Sequence, residues 1–254
     1  MNVLSNKCLI LAAGNGRRLI SQYGGIPKPL VPLRGVPLLE HVMLAAHDAG
    51  VDEFVIVVGY RGEMIRRWFD KRSLDGISVT WIENVDYHKD NGISLLKARD
   101  QLYDPFLLLM ADHIFEPSTA KALMNQRLAE GEVILAVDRK IDRVFDLEDA
   151  TKVKLEGNHI VDIGKEIACY DALDTGMFLC SPGLFNTLES SMKDGNCSLS
   201  DGMRKLGRER SLRAFDIGDG RWQDVDTPAA LAYAETIFDR DFSRPSLAEE
   251  LAGV

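Results

Sequence analysis

The sequence predicts an α/β fold: a mixed, mostly parallel sheet with helices on both faces and a small β-hairpin appendage. Three observations carry that prediction. Runs such as Cys8-Leu9-Ile10-Leu11-Ala12 and Phe106-Leu107-Leu108-Leu109-Met110 are apolar without alternation, the composition of strands covered on both faces. Stretches with apolar residues at helical spacing alternate with such runs, which is the order of a parallel sheet. The chain has 254 residues, 46% of them hydrophobic, enough to bury one large core. One domain is expected over residues 1–240, with a β-hairpin insertion near 151–164 and a C-terminal tail over 241–254.

The first strand is expected at 7–12. Pro37 suits a first helical turn, and Leu38, Leu39, Val42, Ala45, Ala46 and Ala49 recur at helical spacing up to Gly50. A strand at 54–58 follows, then an amphipathic helix marked by Met64, Ile65, Trp68 and Phe69, and a strand at 79–83. Residues 93–102 read as helix, 106–110 as a continuous apolar strand, 119–128 as helix and 132–137 as strand. The pattern changes from Thr151: 152–155 and 159–163, joined by Glu156-Gly157-Asn158, read as a hairpin beside the main sheet. A strand at 176–180, helices at 184–192 and 199–206, a strand at 212–216 and a helix at 229–239 complete the core.

The first strand runs into Leu11-Ala12-Ala13-Gly14-Asn15-Gly16-Arg17-Arg18-Leu19, followed by Pro27-Lys28-Pro29-Leu30. Glycines 14 and 16 let the backbone turn and bring amide N–H groups near phosphate oxygens, while Arg17, Arg18 and Lys28 supply positive charge. That is the equipment for a polyphosphate. A dinucleotide fingerprint fails because Leu19 stands where its third glycine belongs, and no Gly-Lys-Ser/Thr follows to make a P-loop. Parallel strands present their carboxyl ends together, so Asp112, just after the strand at 106–110, falls at the same sheet edge. A carboxylate there can bind Mg²⁺ beside phosphate oxygens. Trp222-Gln223-Asp224-Val225-Asp226-Thr227-Pro228 is a third motif at a strand-to-helix junction, and strand alternation would let Asp224 and Asp226 both face the site.

The paired pattern L-A-A-G-x-G-x-R-L and P-K-P-L resembles the N-terminal signature of the sugar nucleotidyltransferases, which join a nucleoside triphosphate to a sugar phosphate and release pyrophosphate. The resemblance implies a three-layer, Rossmann-like nucleotidyltransferase fold. It also implies a nucleotide-binding loop of Leu11, Ala12, Ala13, Gly14, Asn15, Gly16 and Arg17, with Arg18 on the triphosphate and Lys28 on the reacting α-phosphate. Arg17 replaces a small hydroxyl residue, so its role stays open between a second phosphate cation and a solvated side chain. Asp112 takes the place of the family's metal-binding aspartate. The W-x-D-V-D-T-P element resembles the supplier of a second metal acid, with Asp226 favoured over Asp224. Asn91, Gly92 and Ser94 stand where relatives read the nucleobase. Lys165, Glu166, Asp174 and Gly176 stand where they hold the acceptor, Lys165 on its phosphate and Asp174 on ring hydroxyls.

Within that family the chain looks most like the CTP:inositol-1-phosphate cytidylyltransferases. The implied partners are CTP and a phosphorylated polyol or sugar, with Mg²⁺ as cofactor; phosphocholine, aminoethylphosphonate and hexose 1-phosphate are alternative acceptors, and a homodimer is left open. The competing class is a noncatalytic nucleotide-binding subunit on the same fold, against which the joint presence of Arg18, Lys28, Asp112 and Asp226 argues. A net charge of -9 and no basic run disfavour nucleic acid. Cys8, Cys169, Cys180 and Cys197 lack zinc or disulfide spacing and read as reduced thiols. Leu9 to Ala13 is too short for a signal peptide or a membrane span, so a soluble cytoplasmic protein without a fused membrane-embedded partner is expected.

Overall fold

Strand β1 (Lys7–Ala12) shows why the apolar runs do not alternate. Cys8, Ile10 and Ala12 enter one core while Leu9 and Leu11 enter another on the opposite face. The same division holds in β4 (Glu53–Val58) and β6 (Phe106–Met110), where Ile56 and Leu107 face the first core and Val57 and Leu108 the second. Each strand keeps its period of two, but both phases are buried. The computed structural model describes residues 6–20, 23, 25–72 and 74–238; the expected tail at 241–254 and the last residue of the expected helix at 229–239 lie outside them.

Before β4 come a short helix α1 (Arg17–Ile20), the two-residue strands β2 (Pro32–Leu33) and β3 (Val36–Pro37), and α2 (Leu38–Asp48). Helix α2 covers the first face together with α3 (Gly62–Phe69), α5 (Pro117–Met124) and α8 (Pro228–Ile237). The second face is covered by α4 (Asn91–Leu96), α6 (Gly183–Ser191) and α7 (Leu199–Arg208). The main sheet has the order β5-β4-β1-β6-β11-β8-β12-β10-β9, with β5 at Ser78–Glu83, β8 at Val133–Asp138, β11 at Ala172–Cys180 and β12 at Leu212–Asp216. Strands β5, β4, β1 and β6 are parallel, as are β8 and β12, whereas β11 runs against both β6 and β8. The hairpin of β9 (Lys152–Glu156) and β10 (His159–Gly164) is tied in at both strands, β9 to Ala172 and Leu173 and β10 to Arg213.

Some boundaries differ from those the periodicity suggests. The α-helix expected at 93–102 spans Asn91–Leu96, and a separate 3-10 turn, Arg99–Gln101, follows it. The helix expected at 119–128 runs Pro117–Met124, because Pro117 supplies the fixed φ of a first helical position and starts it two residues earlier. Helix α7 begins at a capping box in which Ser198 and Asp201 satisfy each other's backbone N–H groups. A small ladder, β7 (His113–Phe115) against β13 (Trp222–Asp224), goes unforeseen, since three-residue strands carry no periodicity. It pairs Asp224 with His113 beyond the carboxyl end of β6. No described helix is long and apolar enough to cross a membrane.

Candidate active site

The glycine loop expected to hold phosphates emerges from β1 as Gly14, Asn15 and Gly16 before α1 begins. Gly16 has φ +49°, and a Cβ there would lie 2.5 Å from the Cβ of Lys28, so both its backbone and the passage of the lysine stem demand glycine. Lys28 starts a 3-10 turn after Pro27 and is buried. Leu11, Ala12, Gly14, Asn15, Gly16, Arg18 and Lys28 line a cavity of about 350 Å³ that Asp112 and Asp226 close. Ala13 is buried behind it, its carbonyl accepting the Tyr60 N–H at 3.1 Å. Arg17 belongs to α1, and its side chain lies outside the described part of the structure.

The acids expected from the second and third motifs converge on Lys28. Its ammonium donates to Asp112 Oδ2 at 2.5 Å and to Asp226, and lies 3.9 Å from Asp224. Burial works to lower its pKa, but the three carboxylates outweigh burial and raise it above the ordinary lysine value. Asp112 is held far below the carboxylate range: burial opposes ionisation, and Lys28 with His113 overcomes it. Arg18 bridges Asp149, at 2.7 Å, and Asp226.

His113 Nδ1 lies 2.8 Å from Asp112 Oδ1 and 3.8 Å from Asp224 Oδ1. Its ring stacks on Trp222, 6.0 Å between centroids and 14° from coplanar, and the indole N–H donates to Asp138 at 2.9 Å. Burial would lower the His113 pKa, but Asp224 and Asp112 raise it to about 9. Asp224 is pushed up to about 6 by burial and by Asp112 and Asp226, against the opposing charges of His113 and Lys28. Its Oδ1 is buried without a hydrogen-bond partner. Ligand atoms of Asp112, His113 and Asp224 lie within 4.8 Å of one another, so a divalent cation would satisfy the orphaned oxygen and relieve the crowded charge. The residues present therefore fit a hard cation held mainly by carboxylates.

A second cavity, of about 640 Å³, shares Asp112 and Asp226 with the first. Of the four residues expected to hold an acceptor, Lys165, Asp174 and Gly176 line it together; Glu166 is exposed and lines neither cavity. Burial raises Asp174 to about 6, opposed by the Gly176 N–H that it accepts at 2.7 Å. Gly176 has φ +75° and lies under the His113 ring. The three residues expected to read the base part company. Asn91 lines the larger cavity with its Oδ1 taken by the Leu199 N–H, Gly92 is packed against Cys197, and Ser94 is buried with its hydroxyl bonded to Asn84. Sequence reasoning assigns no role to His113 or to Asp149. Adjacency to Asp112 was the available signal for His113, whereas Asp149 lies in an irregular segment with none.

Residues 8–209 match the model of the MobA-like NTP transferase domain. The chain belongs to this family. It is 37% identical over 228 residues to the bifunctional IPC transferase and DIPP synthase of Rubrobacter xylanophilus, covering 89% of this chain and 50% of that protein. The enzyme of the same name from Aquifex aeolicus is 33% identical, covering 87% and 49%. The chain thus spans about half the length of the curated relatives it matches. Among solved structures, the inositol-1-phosphate CTP transferase from T. maritima superposes with a TM-score of 0.81 at 27% identity, covering 94% of this chain and 99% of that one. A UDP-glucose pyrophosphorylase bound to UDP-glucose, 20% identical with a TM-score of 0.77 over 92% and 98%, shares the fold.

Proposed function

We propose that this NTP transferase domain couples CTP to inositol 1-phosphate, giving CDP-inositol and pyrophosphate, as a cytoplasmic enzyme. One observation carries the proposal: two cavities, one built on a phosphate loop, meet at Asp112 and Asp226, with the Lys28 ammonium between these acids. A triphosphate in the first cavity and a phosphate monoester in the second would bring their phosphates together there. The two substrates are suggested by the T. maritima neighbour, an inositol-1-phosphate CTP transferase. For the cellular setting, the four free cysteines suit a reducing compartment.

An acceptor phosphate oxygen attacks the α-phosphorus in line, the bond to the β-phosphate breaks, and its electron pair leaves with pyrophosphate. The nucleophile is already ionised near neutral pH, so no side chain has to remove a proton. Lys28 stabilises the charge that grows on the α-phosphate, and Arg18 binds the triphosphate. Asp112 and Asp224, with Asp226 beside them, would hold Mg²⁺, which supplies charge neutralisation and orientation of the phosphates when bound. Before substrates arrive the same acids occupy the cations, which keeps Lys28 charged in a buried position. Asp174 faces the acceptor as a hydrogen-bond acceptor for ring hydroxyls.

A matrix of four nucleoside triphosphates against inositol 1-phosphate, hexose 1-phosphates, phosphocholine and aminoethylphosphonate, scored by pyrophosphate release, tests the reading. CTP with inositol 1-phosphate should give the highest kcat/KM, and phosphocholine, lacking ring hydroxyls, should be poor because it leaves polar groups unpaired. A phosphocholine or phosphonate optimum refutes the acceptor, and absence of pyrophosphate with every pair refutes the enzyme.

A further inference from the structure

Lys165, Asp149, Arg18, Asp226, Lys28 and Asp112 form one continuous chain of alternating charge from the acceptor cavity to the donor loop. Asp149 is its odd member. Its two oxygens are used separately, Oδ1 by the Lys165 ammonium at 2.5 Å and Oδ2 by the Arg18 guanidinium at 2.7 Å. Two oxygens of one carboxylate are nearly as far apart as two oxygens of one phosphate, so cations spaced for the first are spaced for the second. We propose that Asp149 stands in for the acceptor's phosphate in the free protein, its carboxylate occupying a phosphate-monoester site formed by Lys165 and Arg18. The inference rests on the nucleotidyltransferase reading for what the phosphate belongs to, and on geometry for the site itself.

The segment that carries Asp149 is anchored without its carboxylate. Lys152 Nζ donates to the Glu148 carbonyl at 2.9 Å, and Phe145 stacks on Tyr233 of α8 with centroids 4.9 Å apart. Displacing the carboxylate therefore needs a side-chain rotation and no refolding of the segment. The side chains of both cations are 51% exposed, open to an incoming anion. A phosphate monoester brings two negative charges where Asp149 brings one, and charge-assisted bonds favour the dianion. The position also suits the chemistry: Arg18 turns Nη1 to Asp149 and Nη2 to Asp226, the partner it shares with Lys28, so one guanidinium can hold the acceptor phosphate beside the triphosphate. Releasing Asp149 to solvent also removes one carboxylate from a region already crowded with Asp112, Asp224 and Asp226. Asp149 is thus a positioning residue whose charge competes with the acceptor.

Calorimetric titration of Asp149→Asn with inorganic phosphate and with inositol 1-phosphate, in the absence of nucleotide, tests this directly. The variant should bind both at least about threefold more tightly than the wild type, as expected for removing an exposed ionic competitor, and its acceptor KM should fall by a similar factor. Asp149→Glu should restore wild-type affinity, and adding Lys165→Gln should abolish the gain. Affinity unchanged or weakened in Asp149→Asn, with the melting temperature intact, would overturn the proposal and leave the pair as a structural tether. If Asp149→Asn unfolds, Asp149→Ser is held to the same criterion. Tighter phosphate binding without pyrophosphate from any substrate pair would uphold the stand-in and sink the functional reading; CDP-inositol synthesis without tighter binding would do the reverse.

Discussion

Gly176→Ala should be costly, and the cost can be worked from two separate terms. At φ +75° an alanine adopts the left-handed region at roughly 1–2 kcal/mol. Its new Cβ would also lie 2.4 Å from His113 Cδ2 and 2.9 Å from Cγ and Nε2. The ring cannot simply retreat, since it stacks on Trp222, whose indole is fastened to Asp138. Overpacking of that kind costs about 1–3 kcal/mol, giving a total of about 2–5 kcal/mol. Gly195 provides the control: it has φ +72° with nothing within 4 Å of a built Cβ, so Gly195→Ala carries the backbone term alone. Urea unfolding of both variants measures the difference, and Gly176→Asn, which relaxes the backbone term but keeps the Cβ, should still be destabilised. The damage should reach catalysis as well, because a displaced His113 ring gives up its bond to Asp112. If Gly176→Ala costs no more than Gly195→Ala, the packing argument for the glycine is wrong.

The remaining predictions concern the charges of the site. Lys28→Ala should lower kcat more than about tenfold, because a cation on the transferring phosphate stabilises the transition state more than bound substrate; raised KM at constant kcat would reduce Lys28 to a binding residue. Asp112→Ala and Asp224→Ala should abolish metal binding measured by calorimetry and, with it, turnover, whereas Asp226→Ala should retain measurable metal affinity while losing activity; full activity in excess EDTA would exclude a metal role. Asp149 is lowered to about 2 by its bond to Lys165, partly opposed by burial, with Arg18 adding to the effect. A depressed carboxylate contributes stability that is present above its unfolded pKa, near 3.8, and is lost as pH falls toward 2. The melting temperature of the wild type should therefore fall more steeply than that of Asp149→Asn between about pH 4 and pH 2; parallel curves would refute the pairing.

Much of the fold was legible because it is written in local signals. Unalternating apolar runs announced strands buried on both faces, and the two cores that share β1 show the reason. Pro37 and Gly50 bounded α2 to within two residues, whereas the helix expected at 93–102 ends at Leu96. The glycine-loop cavity was equally legible, since Gly14 to Arg18 and Lys28 belong to one loop and the turn that packs on it. The residues expected to read the base were less so. Asn91, Gly92 and Ser94 lie close together in sequence, yet they open a helix, so neighbouring positions point in different directions: Asn91 reaches a cavity and Ser94 bonds to Asn84 in the interior.

The two acids of the third motif show most sharply where sequence reasoning stops. Asp224 and Asp226 both face the site, as alternation allows, but alternation cannot say which oxygen is left without a partner. That is decided by pairing between segments far apart in the chain. The β7–β13 register places Asp224 opposite His113, whose Nδ1 is already engaged by Asp112, while Asp226, beyond the end of the strand, reaches Lys28 and Arg18. Asp226 is thus neutralised by two cations in hydrogen-bond contact, whereas the buried Oδ1 of Asp224 has Lys28 and His113 only at 3.9 and 3.8 Å and no hydrogen-bond partner. A preference for Asp226 follows from the motif; one for Asp224 as the second metal acid follows from charge. A cation is drawn to the carboxylate whose charge is least compensated, which favours Asp224, and the contrast between Asp224→Ala and Asp226→Ala in metal affinity decides between them.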